Sequence, residues 1–248
     1  MPEVCLVVPC FNEEHRLKGT DFLAFLSAHP SASLCLVDDG SGDGTWATLE
    51  RLRGSRPGQI LTHRLTENGG KAAAVRAGVL HVASMGRWPI IGYWDADLST
   101  PLDEADQLLA ALTAHPDCRL AMGSRVKRLG SRIERKASRH VLGRIFASMA
   151  SAILGFEVYD SQCGAKLFRA ESVPAFFSAP FLTRWLFDLE MLARLRNVVG
   201  RDAVREMTRE VPLRRWEEVG GSKLRLREMI GVPLELLRIR AHYNQRPR

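Results

Sequence analysis

The sequence predicts a doubly wound, mostly parallel α/β sheet with an amphipathic helical region in its second half. Three observations carry that expectation. Short apolar runs alternate with stretches of helical spacing along the first 122 residues, the pattern of strand–helix–strand units. The runs are apolar throughout, as strands covered on both faces are. Three of them end in acidic loops, and doubly wound sheets bind ligands at the C-terminal ends of their strands.

Val4–Pro9 reads as a buried strand leading into the polar loop Cys10–Glu14, and Thr20–His29 has helical spacing. Ser33–Val37 is a second strand, and the Gly- and Asp-rich loop Asp38–Thr45 separates it from a helix over Thr45–Arg53. Gln59–His63 is a third strand. Asn68-Gly69-Gly70 is a turn, and Lys71–Met85 is a helix with Ala and Val on one face. Trp88–Trp94 is an aromatic, apolar strand that stops at Asp95-Ala96-Asp97. Pro101 suits the first turn of the next helix, Leu102–His115, because its missing N–H would be unpaired there. Arg119–Met122 is a short strand. Val141–Phe156 carries Ile145, Phe146, Met149, Ile153 and Leu154 at helical spacing, and 223–240 interleaves Leu and Ile with Arg in the same way.

A chain of 248 residues buries a large core, and one domain is expected over 1–248, with 1–122 and 123–248 as its two halves. The net charge of +7 favours an anionic partner. Nine Lys or Arg fall in 119–144 against the single Glu134. Beside an amphipathic helix, such a stretch suits a membrane surface or an anionic substrate. A solvated basic face next to a core helix reads the same way. Five cysteines without metal-ligand spacing indicate a reduced chain with buried thiols, hence a cytoplasmic one. No signal segment is expected, because strand character starts at once. Val141–Phe156 falls short of the roughly 20 residues a spanning helix needs.

Two carboxylates at the tip of a buried strand are costly unless something offsets their charge. A divalent cation on a pyrophosphate would do so, since Mg²⁺ and Mn²⁺ prefer carboxylate and phosphate oxygens. A solvated Asp-x-Asp turn would look the same as a tripeptide. Asn12–Glu14 and Asp38–Asp43 converge on the same rim, so the three loops together need a cation or hydrogen-bond donors between them.

Four blocks in order, Val7–Glu14, Val37–Thr45, Asn68–Ala72 and Asp95–Asp97, resemble the inverting glycosyltransferases of the GT-A fold, which include the polyprenyl-phosphate sugar synthases. Three more, Asp160–Phe168, Trp185–Glu190 and Val211–Lys223, are similar to the dolichyl-phosphate β-glucosyltransferase branch. The resemblance implies a nucleotide pocket lined by Pro9, Phe11, Glu13 and Asp38, with Asp39 reading or supporting the base. It places Lys71 at the donor pyrophosphate, Asp95 near nucleotide and metal, and Asp97 on Mg²⁺ or Mn²⁺. Ser99 stands where the mannosyl branch has a metal-binding Gln. Arg125, Arg135, Arg139, Gln162 and Lys166 are implied on the acceptor side. Asp188 and Glu190 occupy the place of a catalytic acidic pair, or are structural acids at a helix N-terminus that orient the Gln162–Lys166 loop.

The implied reaction is in-line displacement by a polyprenyl phosphate on a nucleotide sugar, most simply UDP-glucose, with α-linked donor inverted to β-linked product. A GDP-mannose donor, a non-lipid acceptor, or a non-enzymatic membrane- or nucleic-acid-binding module are the competing expectations. The acidic loops argue against the last, so nucleic acid is not an expected partner. Peripheral attachment to the cytoplasmic face of an anionic membrane follows from the lipid acceptor. Many relatives carry anchors or C-terminal transmembrane helices, and none is expected here.

Overall fold

A computed structural model describes residues 3–134, 137–219 and 226–244; for 137–140 and 226–230 it describes the backbone alone. Strands β1 (Val4–Cys10), β2 (Ala32–Asp38), β3 (Ile60–Arg64) and β4 (Ile90–Trp94) pair in parallel, with β1 between β2 and β4. The connecting helices are α1 (Gly19–Ala28), α2 (Thr45–Ser55), α3 (Lys71–Ser84) and α4 (Ala105–Ala114). The order reverses between β1 and β4, which opens a crevice at their C-terminal ends. The helix expected over Leu102–His115 begins as a 3₁₀ turn at Leu102–Glu104, because Pro101 stays extended (φ −58°, ψ 146°) just ahead of it.

The second half adds β5 (Leu120–Ser124), β6 (Arg132–Glu134), α5 (Ala137–Leu154), β7 (Ala165–Arg169), α6 (Val173–Phe177), α7 (Phe187–Val199), α8 (Arg201–Met207), β8 (Thr208–Pro212), β9 (Arg215–Glu217) and α9 (Leu226–Tyr243). The main sheet runs β3-β2-β1-β4-β7-β5-β8, and β6 pairs with β9 in a separate ribbon. Strand β7 is the exception to the parallel rule: it is antiparallel to both β4 and β5. The motif block Asp160–Phe168 covers most of this strand without predicting it, since Lys166 and the terminal Arg169 hide its apolar pattern. Helix α5 starts four residues before the expected Val141 and ends at Leu154, where Gly155 takes φ 74°.

Alternate residues of each strand feed two cores. Cys5, Val7, Cys35, Val37, Ile91 and Tyr93 face α3, α6 and α7, whereas Val4, Leu6, Val8, Leu34, Leu36 and Trp94 face α1 and α4. Helix α3 lies directly on β1 and β2. A Cβ at Gly78 would sit 2.5 Å from Val7 Cγ1 and 2.6 Å from Val37 Cγ2. Overpacking of this kind typically costs about 1–3 kcal/mol. Gly78→Val should therefore lower the unfolding free energy by about that amount in urea titration. An unchanged midpoint would mean that α3 is free to lift from the sheet.

Candidate active site

The loops after β1 and β2 are stitched to one another. Ser41 Oγ accepts the Asn12 N–H at 3.0 Å, Asn12 Oδ1 accepts the Gly42 N–H at 3.1 Å, and Thr45 Oγ1 accepts the Glu13 N–H at 2.8 Å. Glu14 Oε2 takes the Gly44 N–H at 2.9 Å. Backbone donors thus meet part of the charge of this rim. Asp38, expected in the nucleotide pocket, is fully buried. Its Oδ1 accepts the Ser41 N–H at 3.0 Å and its Oδ2 lies 3.1 Å from Arg64 Nε, so it shapes the loop from below. Asp39 accepts the Gly69 and Gly70 N–H groups at 2.8 and 2.9 Å and Asn68 Nδ2 at 3.0 Å. Burial raises its pKa, and the two backbone bonds oppose that rise. It braces the Asn68–Gly70 turn that launches α3, where Gly70 takes φ 86°.

That turn delivers Lys71 to the crevice. Its Nζ lies 2.6 Å from Asp95 Oδ1 and 5.8 Å from the ring centres of Tyr93 and Phe187. Burial works against the Lys71 charge, but Asp95, Asp188 and Asp97 outweigh it and hold the pKa above the ordinary lysine value. Asp97 Oδ1 accepts the Ser99 N–H at 2.9 Å, a local turn that leaves Leu98 at φ 52°. Pro9 and Phe11 are half-buried, while Glu13 is buried with Oε2 3.8 Å from Arg16 Nε. Arg184 was missed by sequence reasoning. Its NH2 reaches Asn68 Oδ1 at 2.7 Å, and its carbonyl accepts the Ala72 N–H, so it frames the mouth beside Lys71. An Arg ahead of the Trp185–Glu190 block was the only available signal.

Two acceptor-side residues are paired within the fold. Arg125 forks onto Asp160, Nε to Oδ2 at 2.7 Å and NH2 to Oδ1 at 2.6 Å, and lies 5.4 Å from the Trp216 ring. Burial opposes its charge, Asp160 more than compensates, and the guanidinium is paired within the fold instead of standing free for a phosphate. Lys166 is completely buried and gives its N–H groups to Ser161 O at 2.8 Å, Cys163 O at 2.7 Å and Asp188 Oδ1 at 2.8 Å. An ammonium has three donors, and all three are used internally. Gln162 is half-buried next to them, with Nε2 shielded from solvent and no protein partner among the described residues. Arg135 and the Arg139 side chain lie outside the described residues.

The acidic pair Asp188 and Glu190 is closed to solvent. Asp188 accepts from Tyr93 OH as well as from Lys166. Burial pushes the Asp188 carboxyl up and the Lys166 ammonium down, and either charge state leaves the pair neutral and bonded. Glu190 accepts the Leu182 N–H at 2.9 Å, the Thr183 N–H at 3.0 Å, Thr183 Oγ1 at 2.8 Å and Tyr243 OH at 3.0 Å. With four donors on its oxygens, it clamps the loop that carries Arg184 and has no free lone pair suited to a catalytic acid or base.

Among the described residues no three His, Cys, Asp or Glu side chains form a metal cluster. Asp95 and Asp97, both half-buried after β4, supply two carboxylates there. Such a set fits Mg²⁺ or Mn²⁺, which are held by one or two carboxylates with substrate phosphates completing the shell. Glu190→Leu tests the structural assignment of the second acid. A buried donor left unmet costs about 1–3 kcal/mol, so with two of the four left without a partner stability should fall by about 2–6 kcal/mol in a urea titration. An unchanged midpoint would show that the 182–183 loop holds without Glu190.

Residues 5–177 match the model for glycosyl transferase family 2. The chain is 31% identical to a dolichyl-phosphate beta-glucosyltransferase of Trichomonas vaginalis, over 96% of this chain and 70% of that protein. It is 32% identical to the dolichyl-phosphate beta-glucosyltransferase of Drosophila melanogaster, over 90% of this chain and 69% of that one. Among solved structures, mannosyl-3-phosphoglycerate synthase from Rubrobacter xylanophilus superposes with a TM-score of 0.70 at 17% identity, covering 97% of this chain and 73% of that one. Glucosyl-3-phosphoglycerate synthase from Mycobacterium tuberculosis, crystallised with Mn²⁺ and UDP among other ligands, gives 0.67 at 16% identity, covering all of this chain and 81% of that one. These likenesses carry the GT-A fold. The chain belongs to glycosyl transferase family 2 and is a glycosyltransferase.

Proposed function

We propose that the enzyme transfers glucose from UDP-glucose to a polyprenyl phosphate of the dolichyl type, with inversion and with Mg²⁺ or Mn²⁺. The observation that carries this reading is similarity over nine-tenths or more of the chain to proteins named for that transfer, extending through the 160–166 loop and the Trp185–Glu190 block. The diphosphate of the donor sits at the crevice rim, with the Lys71 ammonium on its charge and Asp95 and Asp97 holding the divalent ion. Bound there, the ion neutralises charge on the departing nucleoside diphosphate. Pro9, Phe11 and Glu13 flank the nucleotide, and Asp39 supports that pocket through the Asn68–Gly70 turn. A phosphate monoester is largely ionised near pH 7, so its oxygen attacks without a strong base and needs only to be held in line. Arg135 and Arg139 are proposed to hold it, with Arg125 fixing the wall through Asp160 and Gln162 offering an amide nearby.

The membrane reading rests on exposed apolar surface. On α5, Val141, Leu142, Ile145 and Met149 are exposed, and on the adjoining α9 so are Leu234 and Leu237. Arg144, Arg238 and Arg240 are exposed beside them. No helix among the described residues is long and apolar enough to cross a membrane. Each basic residue near an anionic surface contributes about 1 kcal/mol, less as salt is added. These two helices dock the enzyme on an anionic cytoplasmic leaflet, where the polyprenyl tail stays in the bilayer.

Two measurements test these readings. A panel of nucleotide sugars with a short polyprenyl phosphate and Mg²⁺ or Mn²⁺, read by mass spectrometry, should give a hexosyl lipid from UDP-glucose. Asp97→Asn should lose about 10²-fold or more of that activity. Product from GDP-mannose alone, or transfer only to soluble acceptors, would replace the proposed substrates. Secondly, the protein should float with anionic liposomes at low salt, come off at high salt, and float far less with zwitterionic ones. Failure to float with any liposome would remove the docking role of α5 and α9.

A further inference from the structure

Asp188 and Lys166 have no opening to the crevice, yet their contacts end on Asp95. Lys166 Nζ binds Asp188 at 2.8 Å and holds the carbonyls of Ser161 and Cys163. The next carbonyl, Gly164 O, accepts the Asp95 N–H at 3.0 Å. Any side chain at Gly164 would run into the Asp95 carboxylate, so the loop presses against that acid from beneath. From the other side, Tyr93 stands two residues before Asp95 on β4 and gives its hydroxyl to Asp188. Asp188 is therefore tied to Asp95 along two routes, one through β4 and one through the 161–164 loop. Asp95 in turn holds Lys71 at 2.6 Å.

We propose that Asp188 and Lys166 are positioning residues that set the Asp95 carboxylate and Lys71 for the metal and diphosphate, and that Asp188 is not the proton acceptor of the reaction. The inference rests on the reading of Asp95 and Asp97 as the metal and donor site. Partners behind a metal ligand fix its orientation, and losing one typically costs about 10- to 100-fold in metal affinity or activity. A buried ion pair can be exchanged for apolar side chains of similar volume with little loss of stability, which separates positioning from folding.

The test compares Asp188→Asn, Lys166→Met and the double variant Asp188→Leu/Lys166→Met with wild type. UDP binding with Mn²⁺ is followed by calorimetry, unfolding by urea, and kcat and KM across pH by product formation. Each folded variant should lose about 10- to 100-fold in Mn²⁺-supported UDP affinity. The double variant should be no worse than the weaker single one, because both changes cut one chain of contacts. Residual transfer should keep the wild-type pH profile. If the single variants fail to fold, the apolar double variant carries the comparison. Wild-type Mn²⁺–UDP affinity in a folded double variant would overturn the proposal. So would an Asp188→Asn variant that binds UDP normally but loses the acidic limb of its kcat profile, the mark of a base. Asp97→Asn runs alongside: if it binds Mn²⁺ and UDP like wild type, the donor-site reading falls first and the proposal falls with it.

Discussion

The placement of β7 between β4 and β5 is the constraint on which the crevice depends. Its antiparallel register sets Ala165 opposite Trp94, Lys166 opposite Tyr93 and Leu167 opposite Gly92. The loop ahead of β7 consequently turns under the tip of β4, where Asp95 leaves the sheet. Close approach is bought with two glycines: a Cβ at Gly92 would strike the Lys166 carbonyl, and one at Gly164 would strike Asp95. Because β7 comes from the second half of the chain and pairs with β4 of the first, the halves share one sheet.

Buried carboxylates in this protein follow one electrostatic rule. An ionised acid removed from water must be paired with donors or a cation. Asp39 meets that condition with two backbone N–H groups, Glu190 with two, and Glu210 with those of Tyr159 and Asp160. Glu104 does the same for Arg214 and Arg215, which fastens β9 beside the first half. Such acids spend their lone pairs on loop geometry. Asp95 and Asp97 differ, since the partners of their side chains are the Lys71 ammonium at the crevice and one local N–H. That difference separates acids that build the crevice from acids that can work in it.

The strands β1, β2 and β4 and the loops that follow them were legible because their signals are local: apolar runs, Gly-Asp clusters, a Pro after the second Asp. The fold class followed from their alternation, and the family from motif blocks at their spacing. Strand β7 was not legible. A Lys within it reads as a solvent-facing residue, and the carboxylate that pairs with it lies on α7. The same reason explains Asp38. Beside Asp39 in a polar loop it reads as a ligand, while Arg64, which neutralises it from β3, is far along the chain. The roles of Arg125 and Glu190 were likewise decided by partners, Asp160 and Tyr243, that sequence spacing does not bring together.

The positive net charge must be divided in a similar way before it says anything about partners. Arg125 is paired with Asp160, Lys166 with Asp188, and both are buried or nearly so. Arg169 gives its guanidinium to the carbonyls of Cys118 and Leu112, and Arg194 to those of Phe176, Ala179 and Pro180. These cations fasten loops and helix ends. The charge left to attract an anionic surface is the exposed part, and on α5 and α9 it stands among exposed Val, Leu, Ile and Met. Exposed charge and exposed apolar surface on the same helices are what the proposed membrane attachment requires, and a merely solvated basic helix lacks the second.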